Sequence, residues 1–372
     1  MFRTILSLSY LIPNIYLFIR IWQLFIPGRF RVWYTIIYGI LFSVYPLTRI
    51  AGREFPESIM QAVITGSNYL LPFFLYLFLF VLLTDILLLI NKITGIIRGD
   101  VIKEQSVRLK MLFVIISLSL AVVTSGIVNF NVIRSSEYRI IIPARSSHLK
   151  ELRIAFVSDF HIGENTPFRF MENYVKKVQE LDPDLMLYGG DIVEGGRGDM
   201  MEPYDKILGR IKPRYGVYGV LGNHEHYSRQ DNGDFFSNAG IKILADTSVI
   251  IDNSFILTGR HDSHTRTRKD VKELMDTVTD TLPVILMDHR PTEIDQISRT
   301  KADVVLSGHT HHGQLFPINL ITGIVYELSH GYLRKGETHF FVSSGIRLWG
   351  PPVRTTGKSE IVVVDIELSG SE

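Results

Sequence analysis

The chain has 372 residues, with 39 basic and 38 acidic side chains, and contains no cysteine. The absence of cysteine excludes disulfides and thiolate metal sites. The near-neutral total hides two unlike parts, because residues 1–134 carry 12 basic and 5 acidic side chains, whereas residues 135–372 carry 27 and 33. The mildly acidic second part has no clustered basic face, so we expect no nucleic-acid partner.

Four apolar stretches in the first part are each near the length of about 20 residues that crosses a bilayer as a helix. They predict membrane spans at residues 4–26, 32–50, 67–91 and 110–129. The first stretch contains Pro13 and Arg20 and the second is short, so three or five spans are alternatives. Apart from Arg49 and Lys110 at their ends, these spans contain charge only at Arg20 and Asp85. We therefore expect a membrane region over residues 1–134 that anchors the protein or binds a partner, and not a transporter.

The basic residues of the short loops predict the orientation of this region. Seven Lys and Arg fall on the side of the loop at 92–110 and six on the opposite side. Loop 92–110 holds the densest cluster, and such clusters favour the cytoplasm. We therefore expect the domain that follows the last span to lie outside the cytoplasm.

Short apolar runs alternate with helical patterns in the second part. Residues 135–150 predict a linker, with an edge strand as the alternative. Beyond it, the patterns predict strands at 152–158, 184–188, 216–221, 241–244, 248–251, 255–258, 283–287, 302–306, 340–343 and 360–368. They predict helices at 167–181, 202–211 and 267–279. This alternation predicts an α/β domain over residues 151–372, in which helices cover a sheet with parallel strands. Sites in such folds lie beyond the carboxyl ends of the strands.

Polar motifs follow five of the predicted strands: Asp159-Phe-His161, Gly190-Asp191, Gly222-Asn223-His224-Glu225, His289 and Gly308-His309-Thr-His311. Asp159 and His161 are two residues apart, so in extended backbone they project to the same side. Carboxylate, amide and imidazole groups without thiolate suit Mn, Fe, Zn or similar divalent ions. Two cations about 3.5–4 Å apart need a bridging anion, which a carboxylate supplies. The motifs therefore predict a site for two metal ions.

In this order, the motifs resemble the signature of the calcineurin-like metallophosphoesterases, over about residues 150–368. Gly308-His-Thr-His-His-Gly-Gln314 and the segment from Ser343 to Arg354 are most similar to the bacterial YkuE-like branch. The resemblance implies a double β-sheet sandwich flanked by helices, in the layer order α/β/β/α. That branch includes membrane-associated or exported enzymes and relatives that split UDP-diacylglucosamine. Together with the four apolar stretches, the resemblance implies a multi-pass protein of a bacterial cell membrane.

The resemblance also implies a role for each motif residue. Two sets would each hold one divalent metal ion with a shared residue between them: Asp159, His161 and His311; Asn223, His289 and His309; and Asp191 as the bridge. His224 would protonate the leaving group or stabilise the transition state. The implied reaction is in-line attack on phosphorus by a hydroxide that the metals activate.

Residues beside the motifs have less specific signals. His261, His312 and Arg347 are candidates for substrate contacts. Asp288 is expected to be a strand-end turn residue, with a hydrogen-bond partner of a ligand histidine as the alternative. Glu225 is expected to be a structural residue or to support a ligand, and not to be catalytic. The glycine-rich segment Gly195–Gly198 lacks the lysine of a nucleotide-binding loop, so we expect a loop beside the site.

These patterns favour a membrane-anchored dinuclear-metal hydrolase of phosphoric esters or pyrophosphates. Its substrate would be a phosphorylated small molecule or a lipid-linked phosphate. A non-catalytic membrane scaffold is one alternative, although loss of a ligand would mark such a protein and none is missing. A protein Ser/Thr phosphatase is another. Those enzymes usually show Gly-Asp-x-x-Asp-Arg-Gly, whereas Glu194 stands at the second acid here and the arginine is absent.

Overall fold

The computed structural model describes residues 2–50, 57–163, 166–194, 198–228 and 233–370. The chain divides into two compact units. The helical unit comprises residues 1–128 and 350–355, and the sheet unit comprises residues 129–349 and 356–372. The first unit coincides in large part with the predicted membrane region, and the second with the predicted α/β domain.

Long apolar helices build the helical unit: α1 (Phe2–Leu24), α2 (Arg31–Ile50), α3 (Glu57–Thr94), the short α4 (Gly99–Lys103) and α5 (Gln105–Asn131). Three stretches of the described chain are long and apolar enough to cross a membrane: Gly28–Thr48, Ser58–Thr94 and Gln105–Asn131. Helix α1, the first of the four predicted spans, is not among these stretches, and the side chains of its residues 2–6 lie outside the described part of the chain. Length and composition therefore support three of the four predicted spans.

The two charged residues expected inside spans pair with each other. Arg20 on α1 donates from Nε to Asp85 Oδ2 on α3 at 2.6 Å, and its Nη2 donates to the other carboxylate oxygen. The hydroxyl of Tyr16 donates to the same carboxylate. Because the two charges neutralise each other between helices, they fit an anchoring bundle better than a transport pathway.

The sheet unit contains two six-stranded sheets. Within the described residues its strands are β1 (Ile133–Pro143), β2 (Glu151–Val157), β3 (Leu185–Gly189), β4 (Val217–Val220), β5 (Ile241–Ile243), β6 (Thr247–Ile251), β7 (Phe255–Gly259), β8 (Val284–Met287), β9 (Val304–Ser307), β10 (Gly331–Lys335), β11 (Thr338–Val342) and β12 (Ser359–Ser369). The first sheet has the order β1-β12-β2-β3-β4-β5, and the second has the order β10-β11-β9-β8-β7-β6.

Helices connect these strands: α6 (Phe168–Leu181), α7 (Gly198–Leu208), α8 (Asn223–Ser228), α9 (Gly233–Asn238), α10 (Val271–Asp276), α11 (Ile294–Ile297) and α12 (Ile318–Val325). Strand β1 lies in the segment for which we predict a linker or an edge strand. It pairs in parallel with β12 from Ile133 opposite Ser359 to Pro143 opposite Ser369. Along it, Ile140 and Ile142 are buried while Ile141 is exposed, as expected for an edge strand with one covered face.

Three apolar layers hold the sheet unit together. In β2, Ile154 and Phe156 enter the core between the two sheets, whereas Ala155 and Val157 enter the core beneath α6 and α7. A third core packs α10 and α11 on the outer face of the second sheet. Strands buried on both faces need apolar residues at every position, which explains why they appear as continuous apolar runs. The predicted α/β/β/α sandwich, preceded by apolar helices, is confirmed.

The strands that carry the motifs run in parallel. In the first sheet β2 pairs in parallel with β3, and β3 with β4; in the second, β7 pairs with β8, and β8 with β9. The carboxyl ends of parallel strands meet at one edge of a sheet, so each sheet brings its own motifs together. The fold thereby delivers polar residues from five strand ends.

Candidate metal centre

The first ligand group joins the ends of β2 and β9. One ligand atom each of Asp159, His161 and His311 lies within 4.8 Å of the others. His311 Nε2 is 3.5 Å from Asp159 Oδ1. His161 Nδ1 lies 2.6 Å from Glu194 Oε2, so Nδ1–H donates there and the lone pair of Nε2 is left for the site. Among the described residues, this buried Nε2 has no hydrogen-bond partner.

The second group joins the ends of β4, β8 and β9. His289 Nε2 lies 3.3 Å from Asn223 Oδ1 and 3.3 Å from His309 Nδ1. His289 Nδ1 is 2.8 Å from the carbonyl oxygen of Gly189. That bond fixes the proton on Nδ1 and presents the Nε2 lone pair to the other ligand atoms.

One carboxylate lies between the two groups. Asp191 Oδ2 is 3.3 Å from His289 Nε2 in the second group and 4.0 Å from His161 Nε2 in the first. Its other oxygen accepts the backbone N–H of His224 at 2.8 Å. The same oxygen atom therefore faces both ligand groups.

The charges of the site demand a cation. Burial raises the pKa of Asp191, but His289, His161 and His224 outweigh it and lower the pKa well below its ordinary value. Burial lowers the pKa of His289, but Asp191 and Asp159 outweigh it and raise the pKa to about 10. The buried carboxylates thus favour positive charge beside Nε2 of His289, the nitrogen that faces Asp191. A divalent ion meets the same demand, and imidazole, carboxylate and amide oxygen are suitable donors, so the residues fit such ions.

The backbone at the ligands is left-handed. Asp159, His161, Asp191, His309 and His311 have φ between 49° and 71°. Non-glycine residues in this region cost about 1–3 kcal/mol each and cluster at functional sites. The expectation that Asp159 and His161 project together from extended backbone is therefore wrong in its geometry. Tight turns, and not strand alternation, make the side chains converge.

Two glycines leave room for the carboxylates. A Cβ on Gly308 would lie 2.1 Å from Ser158 Oγ and 2.4 Å from Asp159 Oδ2. A Cβ on Gly222 would lie 2.2 Å from Asp191 Oδ1. These contacts are far shorter than atoms tolerate, so neither position accepts a side chain without displacing the carboxylate beside it.

Glu225 is structural, as expected. Its carboxylate accepts the backbone N–H groups of Asp191, Ile192, Val193 and Gly222 at 2.5–3.0 Å. A buried carboxylate that satisfies four donors fixes the turn after β3 against the turn after β4. It therefore holds Asp191 in place.

Glu194 is the residue of the site that sequence reasoning missed. Its two oxygens lie 2.6 Å from His161 Nδ1 and 2.9 Å from His224 Nδ1. Burial raises the pKa of Glu194, but the two histidines outweigh it and lower the pKa to about 2. Burial lowers the pKa of His224, but Glu194 and Asp191 outweigh it and raise the pKa. The acid spacing of Gly-Asp-x-x-Asp, which Glu194 matches, is the signal that identifies it.

Asp288 is not the turn residue that we expect from its position. Its carboxylate is fully buried and accepts from Arg260 at 2.7 Å and from Arg268 at 2.9 Å. A buried carboxylate needs cationic partners, and these arginines come from the segment after β7. These ion pairs fix Asp288, the residue directly before the proposed ligand His289.

The candidates for substrate contact have different surroundings. His312 lies 3.4 Å by Nδ1 from Ser329 Oγ, and its ring centroid is 5.0 Å from that of His330. His261 is half-buried, and its backbone N–H donates to Asp246. Of the predicted loop Gly195–Gly198, residues 195–197 lie outside the described residues.

Arg347 packs among aromatic rings. Its guanidinium lies 4.9 Å from the ring of Phe130 and 4.7 Å from that of Phe170. Burial lowers its pKa to about 10. Its neighbour in sequence, Trp349, is exposed, and the Trp349 and His224 ring centroids are 6.2 Å apart.

A cation beside the second ligand group was also missed. Arg290 follows His289 and donates from Nε to Asp262 Oδ2 at 2.7 Å. Burial lowers the pKa of His309 to about 3, and the charges on His289 and Arg290 add to this shift. Arg290 therefore places positive charge next to the ligands.

Residues 152–313 match the family model for calcineurin-like phosphoesterases. A metallophosphoesterase of Aquifex aeolicus is 32% identical over 231 residues, which cover 59% of this chain and 87% of that protein. The chain belongs to the calcineurin-like metallophosphoesterase family. The finer resemblance to the YkuE-like branch stays a prediction.

Other relatives match a smaller share of their own length. A metallophosphoesterase of Helicobacter pylori is 32% identical over 219 residues, covering 57% of this chain and 59% of that protein. A transmembrane protein with a metallophosphoesterase domain from Danio rerio is 30% identical over 230 residues, covering 57% and 52%. The UDP-2,3-diacylglucosamine pyrophosphatase LpxG of Chlamydia trachomatis is 23% identical over 280 residues, covering 59% and 85%. The chain thus spans about three-fifths of the length of the Helicobacter pylori protein and about half of the length of the Danio rerio protein.

Gly308→Ala tests the packing of this metallophosphoesterase site. The added Cβ must displace Asp159, so we expect the affinity for Mn²⁺ to fall about 10–100-fold, as when supporting groups around ligands are altered. Equilibrium dialysis of the full chain in detergent measures it. Gly323→Ala is the matched control, since its Cβ meets no described atom within 4 Å. Equal affinity in the two variants would contradict the packing argument.

Proposed function

We propose that the chain is a membrane-anchored hydrolase of phosphoric esters or pyrophosphates that uses two divalent metal ions. The observation that carries this proposal is the position of Asp191, whose Oδ2 lies 3.3 Å from a histidine nitrogen of one ligand group and 4.0 Å from one of the other. A carboxylate in that place is the bridging anion that two close cations require. Family membership and the three membrane-length helices support it further.

Seven residues would hold the ions: Asp159, His161 and His311 the first; Asn223, His289 and His309 the second; and Asp191 both. Bound divalent ions, with Mn, Fe and Zn as the candidates, make water nucleophilic at neutral pH and neutralise charge on phosphoryl oxygens. The protein fixes the ligand orientation through Glu194 and the Gly189 carbonyl, which take the Nδ1–H groups of His161 and His289.

His224 is the proposed proton donor. Its Nδ1 bonds Glu194, which leaves Nε2–H for the substrate. As the oxygen of water bonds to phosphorus and releases a proton to the solvent, the bond from phosphorus to the leaving oxygen breaks. The proton on Nε2 then passes to that oxygen. The anionic Glu194 keeps the imidazole oriented and favours its charged form.

A lipid-linked phosphate or pyrophosphate is the proposed substrate class. A relative, LpxG, is named as a pyrophosphatase of a diacylated sugar nucleotide. Apolar helices in the same chain would hold such a substrate and the site at one surface. A non-catalytic scaffold is disfavoured because all seven ligands are present. A Ser/Thr phosphatase is disfavoured because Gly195 stands where those enzymes carry arginine.

His224→Ala and Asp191→Asn test the mechanism in the full chain, purified in detergent with Mn²⁺. General acid catalysis contributes about 10²–10⁴-fold. We expect His224→Ala to lower kcat by that factor for an alkyl phosphodiester and by less for bis-p-nitrophenyl phosphate, because nitrophenolate leaves without a proton. Asp191→Asn is expected to reduce turnover of both substrates.

The exposed histidine His148, which bonds Ser254 on the sheet unit, provides the control, and His148→Ala is expected to keep full turnover. Unchanged turnover in both site variants would refute the mechanism. If His224→Ala lowered kcat equally for both substrates, proton donation by His224 would be refuted, and the metal-dependent part of the mechanism would stand.

We also propose that the sheet unit lies outside the cytoplasm of a bacterial cell. Helix α5 leads directly from the basic loop 92–110 to the sheet unit, so the side of that unit depends on α5 and this loop, and not on whether α1 spans. Alkaline phosphatase fused after Glu372 is expected to be active, because it folds only outside the cytoplasm. Activity of a cytoplasmic reporter at that position would reverse the orientation.

A further inference from the structure

An apolar segment projects from the sheet unit beside the metal centre. Residues 315–325, here called the apolar lobe, contain no charged side chain and include helix α12. No residue of α12 is buried. The exposed side chains are Phe316 (48%), Ile318 (39%), Leu320 (56%), Ile321 (60%), Ile324 (85%) and Val325 (67%). An exposed apolar patch of this kind marks an interaction site.

Helix α12 is amphipathic, but its apolar side faces in the opposite direction from that of a helix on the surface of a soluble protein. At 100° per residue, Ile318, Leu320, Ile321, Ile324 and Val325 fall within one arc of about 160°, and Asn319, Thr322 and Gly323 fall opposite. The polar side faces the protein through two side chains: Asn319 is half-buried with its Oδ1 enclosed, and Thr322 is half-buried. The apolar arc is therefore turned outward. Soluble proteins place that arc on their core.

The apolar lobe is fixed to the loop that carries two proposed ligands. The hydroxyl of Thr310, between His309 and His311, donates to the carbonyl oxygen of Ser329 at 2.5 Å. This hydrogen bond joins the two ends of the segment that contains α12. The close contact of Gly313 with Asn319 holds its first turn against the same loop. Whatever covers the lobe is thus held at a set distance from the metal centre.

A lipid bilayer is the occupant that the chain itself indicates. The same chain carries three helices long and apolar enough to cross a membrane. An uncharged helix with a broad apolar face can lie in the plane of a bilayer interface. We propose that the apolar lobe inserts into the interfacial layer of the membrane that holds the chain. If the proposed function holds, this contact would present the metal centre to phosphate groups at the membrane surface.

Site-directed labelling tests the insertion, because the chain has no native cysteine. The variants Ile324→Cys and Leu320→Cys each carry one nitroxide label, in the full chain reconstituted in phosphatidylcholine and phosphatidylglycerol nanodiscs. The matched control is Lys176→Cys on α6, whose side chain is 76% exposed. We expect the ratio of oxygen to nickel-chelate accessibility at both lobe positions to be severalfold above the control.

Ratios equal to the control at both lobe positions would overturn the proposal. A label shielded from oxygen and from nickel chelate alike would indicate a protein partner, such as a second copy, and would also overturn it. Metal content measured on each labelled variant shows that the sheet unit is folded. The readout needs no turnover, so an inactive protein with an inserted lobe would refute the proposed function and leave this inference standing.

Discussion

The shared carboxylate of Asp191 is the constraint on which the rest of the site depends. To face both ligand groups it must leave β3 in a left-handed turn, with φ of 50°. Glu225 stabilises that turn by accepting four backbone N–H groups, and Gly222 leaves the space that the carboxylate fills. The strain of five left-handed ligand residues is offset by the two packed sheets from which these turns extend.

Much of the fold could be predicted from the sequence, because buried parallel strands need apolar residues on both faces. The runs around Ala155 and Val305 stand out for that reason. The convergence of the ligands could be predicted as well, since each motif follows such a run. The turns that bring Asp159 and His161 together could not, because alternation predicts extended backbone where the chain is left-handed.

Long-range partners explain the remaining differences. From the sequence, Asp288 is predicted to be a turn residue. The fold pairs it with Arg260 and Arg268, which lie 28 and 20 residues away in the chain. Glu194 reads as a loop residue until two histidines from other strand ends reach it. Helix α12 was not predicted, because it is only eight residues long. An apolar face on a helix normally predicts packing against a core, whereas the apolar face of α12 is exposed.

The central claim is that one carboxylate bridges two ions, and electron paramagnetic resonance tests it most directly. The full chain loaded with Mn²⁺ should give the multiline spectrum of a spin-coupled pair, because Asp191 faces both ligand groups. The Asp191→Asn variant should lose that coupling. A spectrum of isolated Mn²⁺ ions alone in the fully loaded native chain would contradict the account.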